Sequence, residues 1–153
     1  MVLKNCKNVL YRTIALCLVL SLFLPCTAYA ATGNVAQPYA SKYLSAYNTY
    51  ICAVGGGDIQ IWFEVMGTDD MDELGTLRIM LYESTDNVNW TWKKTFLHED
   101  TPGMLIEDDF WYMNYVPYDG VTGRYYKAYV CIWAGKNGSG DTRYMWATSV
   151  RAT

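Results

Sequence analysis

The chain has a single histidine, His98, flanked by Glu99 and Asp100. To act as a general base it would need a nucleophile within hydrogen-bond reach, and to hold a metal it would need further ligands. The residues around it supply no such partner, so His98 reads as an exposed strand-end residue. Glu64 and Glu83 both fall on predicted strands and form the pair that a glycosidase would use. Nothing in their spacing sets the separation of roughly 5 to 9 Å that this chemistry requires. No Ser-His-Asp or Cys-His arrangement can be argued, and the chain reads as non-catalytic.

Two acidic runs, Asp69-Asp70-Met71-Asp72-Glu73 and Glu107-Asp108-Asp109, gather carboxylates in the manner of loops that hold a hard cation. Calcium takes six to eight oxygens and tolerates irregular loops. Asp69, Asp70, Asp72 and Glu73 are therefore the candidate calcium ligands, and calcium is the one cofactor the sequence suggests. Neither run follows the twelve-residue helical-loop pattern, and acidic turns also serve simply to keep a surface soluble. Gly55-Gly56-Gly57 and Asn137-Gly138-Ser139-Gly140 are not phosphate cradles, because neither is followed by the Lys-Ser/Thr pair.

The aromatic content carries more information. Aromatic residues make up 16% of the chain, with six Trp and fourteen Tyr against four Phe. Rings with a polar tip are thus used in preference to the purely apolar one, which suits a surface that is partly buried or meets a partner. Trp62, Tyr82, Trp90 and Trp92 are the candidate ligand-binding rings. Side by side on a sheet they would form a platform for sugar rings or an extended peptide. Alternatively such rings pair across strands, each pair adding about 0.2 to 1 kcal/mol.

Strands must position these residues. From Tyr43 onward, apolar and polar residues alternate with a period of two, interrupted by Gly, Asp and Asn clusters. Ile59, Ile61, Phe63 and Val65 share one face, with Gln60, Trp62, Glu64 and Met66 on the other. Leu77, Ile79 and Leu81 point inward on the next strand, and Tyr126, Ala128, Val130 and Ile132 on a later one that exposes Lys127. Weaker strands are predicted over 43–54, 90–98, 110–116 and 142–150. About seven strands joined by short turns predict an all-β, antiparallel two-sheet sandwich of the immunoglobulin or fibronectin type III kind. The two glycine clusters supply the positive φ of tight hairpins.

Residues 1–30 read as an export signal. Lys4, Lys7 and Arg12 precede an apolar run from Ile14 to Leu24, too short for the roughly 20 residues of a membrane span. Ala28-Tyr29-Ala30 then offers a small-x-small cleavage site, placing the mature start near Ala31. A lipid-anchored Cys26 is the rival reading, with Pro25 standing where a small residue is wanted. Residues 31–40 read as a flexible lead and 41–153 as the domain. Cleavage removes three of 12 basic residues and none of 15 acids, leaving 9 against 15 and a net charge of −6. That balance argues against nucleic acid as a partner. The mature part keeps Cys52 and Cys131, which allow one bridge or two unpaired thiols. A bridge would close a loop of about 80 residues and contribute about 4 kcal/mol. Their spacing fits no zinc pattern.

Tyr82-Glu83-Ser84-Thr85-Asp86 followed by Asn89-Trp90-Thr91-Trp92 resembles the strand-turn-strand hairpin of fibronectin type III-like sandwiches. Gly123-Arg124-Tyr125-Tyr126-Lys127-Ala128-Tyr129-Val130, then Gly135, is similar to their penultimate strand. The resemblance implies a tyrosine corner, at Tyr126 ahead of Tyr125, whose hydroxyl bonds a nearby backbone group. Over roughly residues 40–150, with Met71-Asp72-Glu73-Leu74-Gly75 before the second clear strand, the chain also resembles a family of small exported proteins of Gram-positive anaerobes. That family has no established activity. The functional expectation is a secreted binding module for glycan or cell-wall polysaccharide, with a structural, self-associating extracellular protein as the alternative.

Overall fold

The computed structural model describes residues 41–153. The predicted export signal and cleavage site, Cys6, Cys17, Cys26 and the predicted 31–40 lead all lie outside the described residues.

Alternating side chains on a pleated backbone point to opposite faces, so each alternating run becomes a strand with one dry side. The strands are β1 (Leu44–Gly55), β2 (Asp58–Met71), β3 (Glu73–Ser84), β4 (Thr91–Leu97), β5 (Leu105–Ile106), β6 (Asp109–Tyr118), β7 (Tyr125–Lys136) and β8 (Ser139–Arg151). They form two antiparallel sheets, one ordered β1-β2-β6 and the other β4-β3-β7-β8, with β5 paired to β3. The architecture is the antiparallel two-sheet sandwich that the alternation predicts. Among the described residues no helix is long and apolar enough to cross a membrane.

The inward faces make one core. Ile59, Ile61, Phe63 and Val65 of β2 are fully buried, as are Ile79 and Leu81 of β3 and Tyr126, Ala128, Val130 and Ile132 of β7. Leu77 departs from expectation. A β-bulge between Thr76 and Arg78 inserts one extra residue against β7, so Thr76 takes the buried position and Leu77 is only partly covered. The buried Thr76 hydroxyl donates to the Cys131 carbonyl at 2.8 Å, which removes the cost of burying it.

The eighth strand is β5, and it follows from Gly75. Its φ of 145° and its missing Cβ let the Met104 carbonyl approach the backbone, where a side chain would collide. The Met104 oxygen then accepts from Thr76 N at 2.8 Å, and Met104 itself is fully buried. The β2 and β3 strands also run further than predicted, to Met71 and from Glu73. Met71 and Leu74 are drawn into the core from both sides of the sheet change while the intervening carboxylates stay in solvent. The β7–β8 turn is a two-residue hairpin, with Asn137 and Gly138 at φ 53° and 70°, the geometry that Asn-Gly favours.

Tyr126 is the corner tyrosine. Its hydroxyl accepts from Val121 N at 2.9 Å and donates to Glu83 Oε2 at 2.8 Å. Gly120 lies against the ring, at a distance where a Cβ would come within 3.0 Å of Tyr126 Cε2.

Candidate functional site

The outer face of the β4-β3-β7-β8 sheet gathers rings from all four strands. In register, Trp92 pairs with Tyr82 and Tyr82 with Lys127. The next row is Thr95, Met80, Tyr129 and Trp146, and the third is Leu97, Arg78, Cys131 and Tyr144. Ring centroids lie 5.4 Å apart for Tyr82–Trp146, 4.8 Å for Tyr129–Trp146 and 5.6 Å for Tyr129–Tyr144, the last pair stacked within 15°. Trp92, Tyr144 and Trp146 remain 56%, 51% and 45% exposed. Tyr82, Trp146, Tyr129 and Tyr144 form one continuous run of rings, a platform, and Trp92 lies in register beside it.

Trp90 extends the platform at one end. Lys127 Nζ sits 4.3 Å from the Trp90 ring centroid and 4.7 Å from that of Trp146, a cation held between two π faces. Lys127 points to the wet side as the alternation predicts, and is half-buried there with its ammonium over both indoles. A shallow depression lined by Asn87, Trp90, Lys127, Trp146, Thr148 and Ser149 opens beside it. The turn that carries Trp90 is organised by Asp86, whose carboxylate accepts from Val88 N at 2.9 Å and Asn89 N at 2.8 Å. It also accepts from the Asn89 amide and the Ser84 hydroxyl. The backbone bonds from Asn89 and Val88, more than the side-chain ones, hold the Asp86 pKa far below the usual carboxylate range.

Trp62 belongs elsewhere. It lies on the outer face of the β1-β2-β6 sheet, between Tyr50 (5.9 Å, parallel within 5°) and Tyr115 (4.7 Å). Its indole N–H donates to Gln60 Oε1 at 3.1 Å. Tyr82, Trp90 and Trp92 are therefore brought together and Trp62 is separated from them by the thickness of the sandwich. The platform's other principal rings, Tyr129, Tyr144 and Trp146, were missed from sequence. The signal was present for Tyr129, since burying Ala128 and Val130 turns it outward.

The acidic residues are occupied with structure. Asp69 Oδ2 pairs with Lys136 Nζ at 2.8 Å, Asp72 Oδ2 accepts from Asn137 N at 2.6 Å, and Glu73 Oε2 accepts from Trp133 Nε1 at 3.0 Å. These bonds tie the β2–β3 sheet change to the β7–β8 hairpin, and the Lys136 bond chiefly lowers the Asp69 pKa. Asp70 stays exposed. Among the described residues no three His, Cys, Asp or Glu side chains converge in a metal-binding group. In the second acidic run, Asp109 Oδ1 accepts from Phe110 N and Trp111 N and so shapes the start of β6.

Glu64 and Glu83 do not meet. Glu64 faces outward on β2 and accepts from Trp111 Nε1 at 3.0 Å, whereas Glu83 is held by Tyr126 and by Lys93 at 3.4 Å on the other sheet. Among the described residues the His98 ring is partnered by Glu99 alone, at 3.2 Å. Cys52 and Cys131 are both free thiols. Each alternates with core residues and so points away from the core, Cys52 from one sheet and Cys131 from the other, which rules out a bridge in this fold.

No family model matches the chain, and no curated protein matches it. Among solved structures it is similar to the sporulation control protein Spo0M of Bacillus subtilis, at 11% identity and a TM-score of 0.38. The match covers 66% of this chain and 47% of that one, so the chain spans about half the length of Spo0M. At that distance nothing about function passes from one chain to the other.

Proposed function

We propose that the protein is a secreted, non-catalytic binding module that holds glycan or cell-wall polysaccharide on the ring platform of the β4-β3-β7-β8 sheet. The observation that carries this reading is the unbroken run of rings from Tyr82 through Trp146 and Tyr129 to Tyr144, with Trp92 in register beside Tyr82. Large contiguous aromatic surface is costly to leave in water and marks interaction sites. Flat rings with polar edges match the apolar faces and equatorial hydroxyls of sugars. Secretion enters through the charged and apolar leader with its small-x-small site, and the resemblance to small exported proteins of Gram-positive anaerobes accords with it.

Trp146→Ala is expected to weaken retention on cell-wall polysaccharide at least tenfold, about 1.4 kcal/mol. Trp111→Ala, on the opposite sheet, is expected to leave it unchanged. Affinity electrophoresis in polysaccharide-containing gels measures both. Equal retention of Trp146→Ala and the unmodified chain, or no retention on any wall fraction, would sink the reading.

Self-association is the second reading, favoured by strand β6. This edge strand has no Lys or Arg, and its Phe110, Trp111, Met113 and Tyr115 are 55%, 41%, 36% and 39% exposed. Pro117 blunts only one end of the strand, and the apolar stretch before it is an edge on which a further strand can pair. The reading predicts a dimer in sedimentation velocity that Met113→Lys dissociates; a monomer at high concentration removes it.

A further inference from the structure

The platform also carries charge of one sign. In the three register rows that run from Trp92–Tyr82–Lys127 to Leu97–Arg78–Cys131–Tyr144 there are two cations, Arg78 and Lys127, and no carboxylate. Among the described residues neither cation makes an ion pair. Lys127 is half-buried between indoles without an anion to balance it, and Arg78 is exposed in the row that ends at Tyr144. The opposite outer face carries Glu64 and no cation across its rows from Asn48–Glu64–Met113 to Cys52–Gln60–Pro117. A predominantly acidic protein thus keeps positive potential on one aromatic face, where opposite charge is attracted and steered.

We infer that the platform takes carboxylate-bearing polysaccharide, a polymer of uronic-acid type, with Arg78 and Lys127 as the seats for its anionic groups. This rests on the glycan reading above and deepens it. Arg78 presents a planar fork matched to carboxylate, and Lys127 a fixed point charge. They stand four residues apart along the strands and one strand apart, about 14 Å, so a bound chain spans more than one sugar ring to reach both. The rings decide between anionic polymers. They need sugar faces to stack on, which a polyuronate offers in every unit and a polyglycerol phosphate backbone does not.

The test compares retention on polygalacturonate, on polyglycerol phosphate and on a neutral glucan, at low and high NaCl. Polygalacturonate is expected to bind at least tenfold more tightly than the other two, with affinity falling as salt rises. An Arg78→Gln/Lys127→Gln variant is expected to lose that preference. Lys127→Arg, which keeps the charge between the indoles, is expected to retain it and guards against a variant that merely disturbs Trp90. Equal binding of the neutral glucan, with the double variant unaffected and Trp146→Ala still defective, overturns the charge selectivity while the glycan reading stands. Equal binding of polyglycerol phosphate overturns the uronate assignment. If none of the three binds, and Trp146→Ala changes nothing on any wall fraction, the glycan reading fails and takes this inference with it.

Discussion

Phe63→Ala is expected to lower the unfolding free energy by about 3 to 5 kcal/mol, the range for truncating a fully buried Phe. Phe63 sits in the middle of β2 with no exposed surface and meets Tyr112 edge to face at 5.8 Å. Its neighbours Ile61 and Val65 are themselves fixed by pairing to β1 and β6, so the core cannot collapse into the space left behind. A domain of this size has a total stability of about 5 to 15 kcal/mol, so the loss is a large fraction of what holds it folded. Guanidinium titration checks this. The midpoint should fall with an unchanged slope, and a loss under 1 kcal/mol would mean that Phe63 is not part of a close-packed interior.

Tyr126→Phe removes only one oxygen, yet it is expected to cost about 2 kcal/mol, because a bond to a carboxylate and a bond from a backbone N–H are lost together. The remaining Glu83 oxygen and Val121 N–H are left to find water at a corner closed by Gly120. The hydroxyl also has a pH signature. Burial first, then the hydrogen bond to Glu83, pushes the Tyr126 pKa up to about 12. The folded state therefore keeps a proton that the unfolded chain releases near pH 10. Its stabilising contribution is complete below pH 10 and is lost as pH rises toward 12. Melting temperatures of the unmodified chain should fall over that interval more steeply than those of Tyr126→Phe. Parallel curves would mean that the hydroxyl is not held as described.

The burial of Tyr126 was legible because its neighbours are informative, whereas its corner role was implied only by the resemblance. A Gly-Arg-Tyr-Tyr-Lys-Ala-Tyr-Val run offers two adjacent tyrosines of opposite phase, and the one aligned with Ala128 and Val130 must be the buried one. Leu77 followed the same logic and failed, because a single inserted residue reverses the phase. Nothing in Thr76-Leu77-Arg78 announces the bulge, which arises from how β3 meets β7. The acidic run from Asp69 to Glu73 looked like a cation loop for a comparable reason. Carboxylates close in sequence gather around an ion only if they converge, and here Asp69, Asp72 and Glu73 point instead at Lys136, Asn137 and Trp133.

Period-two alternation is a local property, and it alone was enough to give the strands, their dry sides and hence the sandwich, since a strand's side chains have no third direction to take. Which outward residues become neighbours is a matter of strand order, and that is set by packing between segments far apart along the chain. Trp62 and Tyr82 are separated by twenty positions and one sheet change at Asp72, and they end on opposite surfaces. Tyr82 and Trp146 are far apart in sequence and touch, because strand order sets β3 and β8 on either side of β7 and the two rings meet across it at 5.4 Å. The same ordering points the two cysteines away from each other and leaves Arg78 and Lys127 among rings without a carboxylate.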